Sequence, residues 1–293
     1  MVTVLTAGHV NWDVTLRVDR LPEADDEATI QSRHQGGGGS AGNVAAGLSG
    51  LGVETGLIGS VGDDDNGLLA RRELEAAGVS LEGVRVVDGA NTAVKYLLVD
   101  EAGEVAILGN DGVNEAVGPD DVDEEYVAAA DHVHLTGQRP ETAAAIARTA
   151  RESGATVSFD PGRRLADREY GEPLAIADVV FANDRECAAL LEDEYAGSSF
   201  DDRIVVVKHG RDGAELHAPN GSFVHPGFDV EDVDTAGSGD AFAAGFIAMT
   251  LNGDDLERAL EYANACGALT ASGNGARSAP TADEVSDFLN ARF

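Results

Sequence analysis

Short apolar runs rich in β-branched residues alternate with helix-length segments for most of the chain, and no other feature restricts the fold as much. Val2–Val10, Thr55–Val61, His132–Thr136, Thr156–Asp160, Val179–Ala182 and Ile204–Lys208 read as strands. Between them Ser40–Leu51, Leu68–Ala77, Glu141–Ser153 and Asp184–Leu191 read as helices, with Gly78 placed to end the second. Such alternation needs crossover connections, hence an α/β fold whose mostly parallel central sheet is covered by helices on both faces. The C-terminal third departs from it, with Gly239–Leu251, Leu256–Ser272 and Ala282–Ala291 predicted as three helices in succession. A second departure is Thr92–Val99 and Glu104–Leu108, two β runs joined at Glu101-Ala102-Gly103 as a hairpin. Thr15–Arg33 has no helical period either. These pieces, from about 14–35 and 90–112, are expected to form a small β lid over a site. An edge hairpin of the main sheet is the other arrangement they allow. With no linker and no repeat, 1–293 reads as one domain.

The surface is set by charge. The 293 residues carry 53 acidic and 20 basic side chains, a net charge of −33, and the only lysines are Lys95 and Lys208. Acidic residues are spread along the chain, in pieces such as Asp63-Asp64-Asp65 and Asp120-Asp121, rather than gathered in a tail. At low ionic strength such charge drives the compact state apart; in molar salt the screening length falls to roughly 3 Å and the repulsion fades. We read the surface as adapted to a saline cytoplasm. Nucleic acid is excluded as a partner for want of a basic footprint.

Cys187 and Cys266 have neither a disulfide framework nor metal-ligand spacing, and read as small buried residues. His132 and His134 share one face of a strand and read as solvated or hydrogen-bonded rather than metal-binding. No run reaches membrane-spanning length, and Met1–Val10 alternates as a strand without the basic start of a secretion signal. A cytoplasmic location with no membrane partner is expected.

Chemistry concentrates in two glycine-rich turns. In Asp234-Thr235-Ala236-Gly237-Ser238-Gly239-Asp240-Ala241-Phe242 a tight turn runs into a helix, which aims successive amides and the helix dipole at one point, an anion cradle of Gly237, Ser238 and Gly239. A carboxylate beside such a cradle repels phosphate, unless it is there to take the proton from a hydroxyl that attacks the phosphoryl group; Asp240 suits that task. An acidic helix cap is its structural alternative. The second turn, Gln35-Gly36-Gly37-Gly38-Gly39-Ser40-Ala41-Gly42-Asn43, lets a ligand approach the backbone, and Asn43 both donates and accepts toward a polyol. It lacks the Gly-Lys-Ser/Thr ending of a Walker loop, and its glycines do not follow a strand directly as a dinucleotide fingerprint requires.

With these two turns the chain resembles the ribokinase family, the phosphofructokinase-B type of carbohydrate kinases, from about Gly8 to about Pro280, in the manner of an acidic, haloarchaeal-like member. Gly38–Asn43 is similar to its N-terminal signature and Asp234–Phe242 to its C-terminal one. The resemblance implies a three-layer ribokinase-like domain and transfer of the γ-phosphate of ATP to a sugar hydroxyl. It implies that Asp13, in Asn11-Trp12-Asp13, joins Gly38, Gly39 and Asn43 in holding the sugar. Asn183-Asp184-Arg185-Glu186 looks like the Asn-x-x-Glu element that organises Mg²⁺ and phosphate, with Glu186 acting through water. Asn183, Lys208 with Gly210, Asn264 and Gly273-Asn274-Gly275 fall where the nucleotide is bound. Asp234, with carbonyls near Thr235, Ala271 and Gly275, falls where some members hold a monovalent cation such as K⁺.

The acceptor is less legible. Phe159-Asp160-Pro161-Gly162-Arg163-Arg164 resembles an Asp-Pro-x-x-Arg stretch of hexose and keto-deoxy-gluconate kinases, with Arg164 as the arginine, while Ile107-Leu108-Gly109 lacks the tyrosine and arginine of the latter. The lid offers Lys95 and Tyr96 to the acceptor. Ribose, fructose, a nucleoside and a sugar phosphate stay open, as do ATP or ADP as donor, a homodimer through the lid, and a non-catalytic sensor on the same fold. The distributed charge makes one firm prediction. The thermal midpoint and activity should both rise between low salt and roughly molar KCl; a midpoint that stays flat or falls would identify a merely acidic, salt-indifferent surface.

Overall fold

A computed structural model describes residues 3–191, 202–253, 255–273 and 275–292. Its strands are β1 (Val4–Ala7), β2 (Asn11–Val18), β3 (Ile30–Gly38), β4 (Thr55–Gly62), β5 (Ser80–Val87), β6 (Ala93–Val99) and β7 (Val105–Asn110). They continue as β8 (His132–Thr136), β9 (Thr156–Asp160), β10 (Val179–Asn183), β11 (Ile204–Lys208), β12 (Ala214–Ala218) and β13 (Gly221–His225). The helices are α1 (Ser40–Gly50), α2 (Asp65–Ala76), α3 (Glu124–Ala128), α4 (Pro140–Ser153), α5 (Gly171–Ile176), α6 (Asp184–Leu191), α7 (Ser238–Leu251), α8 (Leu256–Ala271) and α9 (Ala282–Asn290).

Nine strands form one sheet in the order β13-β12-β11-β10-β9-β8-β1-β4-β5, and all pairs from β11 to β5 are parallel. Burial on both faces explains the strands' near-continuous apolar runs. On one face Val133, Val157, Phe159 and Val180 pack with Ile146, Ala147 and Leu174 from α4 and α5. On the other, Phe181, Val206 and Leu216 pack with Val44, Phe246, Ile247 and Leu260 from α1, α7 and α8. The α/β expectation and the helical C-terminal third are both realised.

Several features differ from the sequence reading, which contains neither α3 nor α5. Val2–Val10, read as one strand, ends at Ala7: Gly8 has φ +147° and its position lies so close to Thr136 that a Cβ would sit 2.0 Å from the hydroxyl. The chain turns there and β2 enters a different sheet. Val2 lies outside the described residues. The edge strand β5 and the antiparallel pair β12–β13 carry no element in the sequence reading. Half-exposed edge strands bury only one face, so the apolar signal is weak.

The second sheet, ordered β3-β2-β6-β7, joins segments far apart in sequence by a parallel β2–β6 pair, with Asn11 opposite Ala93, flanked by two antiparallel ones. Its root is buried: Val10, Trp12, Val14 and Val94 pack with Ala41, Ala45, Ala70 and Leu74 of α1 and α2. Its far part leaves Ile30, Tyr96, Val105, Ile107 and Leu108 exposed.

His132 and His134 are buried between β8 and β9. Their ring nitrogens meet Thr156 Oγ1 at 2.6 Å and Ser158 Oγ at 2.7 and 2.8 Å, and burial lowers their pKa values to about 3 and about 4, so both are neutral. Cys266 is buried and Cys187 half-buried, both as free thiols. Among the described residues no helix is long and apolar enough to cross a membrane.

Candidate active site

Parallel strands bring their carboxyl ends to one edge of the sheet, and the residues that follow those ends gather there. The centre is Asp240 in the first turn of α7. The helix is capped by Gly237, which sits at φ +78° with a would-be Cβ 2.1 Å from the Ala276 carbonyl, so only glycine fits. Asp240 is thus not the cap. Its Oδ2 instead accepts a 2.8 Å bond from Asn43 Nδ2, the buried asparagine in the first turn of α1. Burial, aided by the negative charge of Asp160, raises the Asp240 pKa to about 6, against the opposing effects of Asn43, Lys208 and Ser40.

Lys208 ends β11 and Asp160 ends β9, and they form a 2.6 Å ion pair. Burial alone would lower the Lys208 pKa, but Asp160, Asp240 and Glu186 outweigh it, and the ammonium is retained. Glu186 is buried in the first turn of α6, its pKa raised by burial and by Asp160. Its Oε2 accepts from the Asn183 amide at 2.9 Å, while Asn183 Oδ1 accepts from the amides of Arg185 and Glu186 at 3.0 Å. That reciprocal pattern is a capping box, so both residues stabilise the helix start whatever else they do. Three carboxylates, Asp160, Glu186 and Asp240, therefore share one ammonium.

Beside them lies a cavity of about 530 Å³ lined by Lys208, Gly210, Ser238, Gly239, Phe242 and Asn264, among others. Its size suits a nucleotide-scale ligand. Gly210 turns the chain at φ +62° after β11. Asn264 donates from Nδ2 to the Leu260 carbonyl at 2.8 Å, leaving its Oδ1 and its second N–H to offer a ligand. At the cradle the Ser238 amide and hydroxyl are held by the Thr235 carbonyl at 3.2 and 2.9 Å, so Gly239 and Asp240 supply the first-turn amides that a helix leaves unpaired.

On the other side of Asn43 stands Asp13 in β2. A Cβ at Gly38 would lie 2.1 Å from its carboxylate, and one at Gly39 2.4 Å from the His9 carbonyl, which explains the glycines. Burial raises the Asp13 pKa against the pull of Lys95, its register neighbour in β6, and of Arg277. Lys95 itself is exposed. Four buried polar atoms here have no protein partner: Asn11 Nδ2, Asp13 Oδ1, Asn43 Oδ1 and Gln138 Nε2. Two donors and two acceptors left unpaired out of water are costly unless a ligand meets them, and their mix is that of a polyol's complement.

Gly275 and Asp234 lie apart from the large cavity and line, with Asp13, a small one of about 20 Å³. Asp234 accepts from the amides of Ala236 and Gly275 at 3.0 and 3.2 Å. Asn274 is outside the described residues. Arg164 follows β9 and pairs with Asp111 at 2.7 Å and Glu115 at 3.5 Å, lining neither cavity.

Sequence reasoning missed Asp160, Asn11, Gln138 and Arg277. Arg277, carried by the loop before α9, inserts its guanidinium beside Gly37 and Gly42 and donates to the Gly38 carbonyl at 3.1 Å, and burial lowers its pKa to about 10. Nothing local marks it among the arginines; its meaning lies in contacts made across more than two hundred residues.

The family model for pfkB family carbohydrate kinases matches residues 1–282. The chain belongs to that family, the ribokinase family. It is 76% identical over 295 aligned positions, covering all of both chains, to a protein of Halopiger xanaduensis named ATP-dependent ribose-1-phosphate kinase. A nucleoside kinase of Methanothermobacter thermautotrophicus is 27% identical over 89% of this chain and 87% of its own. Among solved structures, a putative ribokinase II of E. coli in complex with ATP and Mg²⁺ superposes with a TM-score of 0.88 at 25% identity, covering 99% of this chain and 100% of that one. Arabidopsis thaliana ribokinase complexed with ribose and ATP gives 0.86 at 25%, covering 99% of each. The chain is an ATP-dependent sugar kinase, and the sensor alternative falls away.

The raised pKa of Asp240 has a consequence for stability. Below the unfolded value of 3.8 the residue is protonated in both states and ionisation costs nothing; as pH rises to about 6 the unfolded chain ionises first and stability is lost. Asp240→Asn escapes that loss. Its thermal midpoint in molar KCl should therefore exceed the parent's at pH 7, by a margin that shrinks toward pH 4. A margin independent of pH, or a variant less stable at pH 7, would show that burial does not strain this carboxylate.

Proposed function

We propose that this kinase phosphorylates the primary hydroxyl of ribose 1-phosphate with ATP. The observation that carries the reading is the full-length 76% identity to the Halopiger xanaduensis protein of that name. The unpaired Asn11, Asp13, Asn43 and Gln138 atoms support a hydroxyl-rich acceptor lying between β2 and α1, next to Asp240.

In this reading Asp13, Asn43 and the Gly38 and Gly39 backbone hold the sugar, with Lys95 on β6 and Arg164 after β9 as further contacts. Lys208, Gly210, Asn183 and Asn264 face the nucleotide, and Gly275 closes the loop behind it. Asp240 accepts the proton of the attacking hydroxyl, whose oxygen bonds to the γ-phosphorus as the bond to the bridging oxygen breaks and ADP departs. Asn43 orients the carboxylate for that transfer. Of the Gly237-Ser238-Gly239 cradle it is the Gly239 amide, with that of Asp240 beside it, that meets the charge on the transferring group, since the Ser238 amide is held by Thr235. Mg²⁺ neutralises phosphate charge when bound. Among the described residues no three-ligand metal cluster exists, which fits an ion held by Glu186 through water and by the nucleotide itself. A K⁺ ion near Asp234 belongs to the same reading, supported by the carbonyls of Thr235, Ala271 and Gly275, although each already accepts a protein hydrogen bond.

The β2-β3-β6-β7 sheet, rooted on α1 and α2 beside Asp13, serves as a lid on a single domain. A second copy of the chain is the proposed cover for its exposed Tyr96, Val105, Ile107 and Leu108. Light scattering in molar KCl should give about twice 30.2 kDa, and Leu108→Glu should return a monomer; a parent that is monomeric at all concentrations removes the dimer.

The activity test is a coupled assay against ribose 1-phosphate, ribose, fructose and a nucleoside, with ATP or ADP as donor, run in molar KCl and again in molar tetramethylammonium chloride. Ribose 1-phosphate with ATP should give the highest kcat/KM, falling with one proton below pH about 6 as Asp240 protonates. Asp240→Asn should lower kcat by about two to four orders of magnitude with little change in substrate affinity. Preference for an unphosphorylated acceptor would overturn the substrate assignment, and turnover within about tenfold of the parent would overturn the base.

A further inference from the structure

Three arginines converge on one carboxylate at the same edge of the sheet. Glu115 meets Arg168 at 2.7 Å, Arg164 at 3.5 Å, Arg139 at 3.6 Å and the His9 ring at 3.3 Å. Arg164 adds a 2.7 Å pair with Asp111. Three guanidinium charges against two carboxylates leave this set of pairs one positive charge in excess, before any protonation of His9, in a chain of net charge −33. The hydrogen bond to His9 and the charge of Arg168 hold the Glu115 carboxyl down at about 2, against the effect of burial. Three arginines assembled around one carboxylate at the surface of so acidic a protein have the composition of an anion site.

Its location ties it to the acceptor. His9 follows β1, Arg139 follows β8, and Arg164 and Arg168 follow β9, three neighbouring strands of the sheet. The His9 carbonyl accepts from the Gly42 amide at 3.4 Å and touches the Gly39 position, so the cluster abuts the glycine turn. Asn114, next to Glu115, donates to Asn11 at 2.6 Å and accepts from the Val10 amide at 3.1 Å. Gln138, whose buried Nε2 lacks a partner, precedes Arg139. Glu115 and Arg168 stay 19% and 18% exposed and Arg139 51%, so an anion reaches them from solvent.

We propose that Arg139, Arg164 and Arg168, with His9, bind the phosphate group of the phosphorylated acceptor, and that Glu115 holds the guanidinium groups in place for it. This rests on the sugar-phosphate reading above and extends it, since Arg139 and Arg168 carry no signature of the family turns. The arrangement separates the acceptor's own phosphate from the cradle at α7: one end of the sugar is fixed by arginines, the other is delivered to Asp240.

The test uses Arg168→Gln and Arg139→Gln in molar KCl, the second because a half-exposed arginine is removed without risk to folding. Kinetics with ribose 1-phosphate and ATP should show KM for the sugar phosphate raised roughly tenfold to a hundredfold in each, as loss of a charge-assisted contact implies, with KM for ATP within twofold of the parent. Both variants keeping the parent's KM for ribose 1-phosphate, while the parent turns that substrate over, would overturn the phosphate site and leave the substrate reading intact. Should the parent reject ribose 1-phosphate, the substrate reading fails and inorganic phosphate decides the site. A phosphate-dependent rise in the parent's thermal midpoint that Arg168→Gln and Arg139→Gln abolish supports it; a rise absent in the parent, or unchanged in the variants, overturns it.

Discussion

The hydrogen bond from Asn43 to Asp240 joins two helix starts that belong to opposite ends of the chain, and the rest of the site is arranged around it. Asp240 is buried and faces the negative charge of Asp160, so its charged form is disfavoured and its pKa stands near 6. A carboxylate so placed is a stronger base than one in water, at the cost of native-state stability. Lys208 keeps the cost finite: a single buried ammonium, paired to Asp160 at 2.6 Å, also attracts Glu186 and Asp240. Removing it would leave three carboxylates without a cation between them.

The glycines follow from the same crowding. Gly38 yields to the carboxylate of Asp13, Gly39 to the His9 carbonyl, Gly37 to the guanidinium of Arg277 and Gly237 to the carbonyl of Ala276. Only Gly39 and Gly237 also need a positive φ. The two turns are thus glycine-rich mainly because other protein groups occupy the space a side chain would take, and a ligand inherits the closeness that results.

How far the sequence revealed this depends on the range over which each signal acts. The α/β alternation, the two turns, Asp240 and Asn43 were legible because local patterns carry them: periodicity in the strands and helices, small residues at the turns. The break at Gly8 was not legible, since its cause is Thr136 on a neighbouring strand. Asp160 stood in the sequence as part of a resemblance around Arg164, and its pairing with Lys208 emerges only when β9 and β11 are brought to flank β10. Asn11 and Gln138 look like ordinary strand-end residues until burial removes water from their amides.

Arginine use extends that argument to the surface. A chain adapted to high salt carries few cations, and most exposed ion pairs are weak and weaker still under molar screening. Pairs such as Arg20 with Asp26 or Arg85 with Asp121 therefore contribute little to the fold. Screening is less effective where water is displaced, and the well-covered cations among the described residues include Arg277 between the glycine turn and α2, Lys208 among the carboxylates, Arg168 against Glu115, and Arg203, which precedes β11 and donates to the Leu174 carbonyl. The first three stand at the carboxyl edge of the sheet or on the loops that close over it. Three of these four covered cations thus gather where the nucleotide and the acceptor are proposed to bind, while Arg203 serves a backbone carbonyl at the amino end of β11.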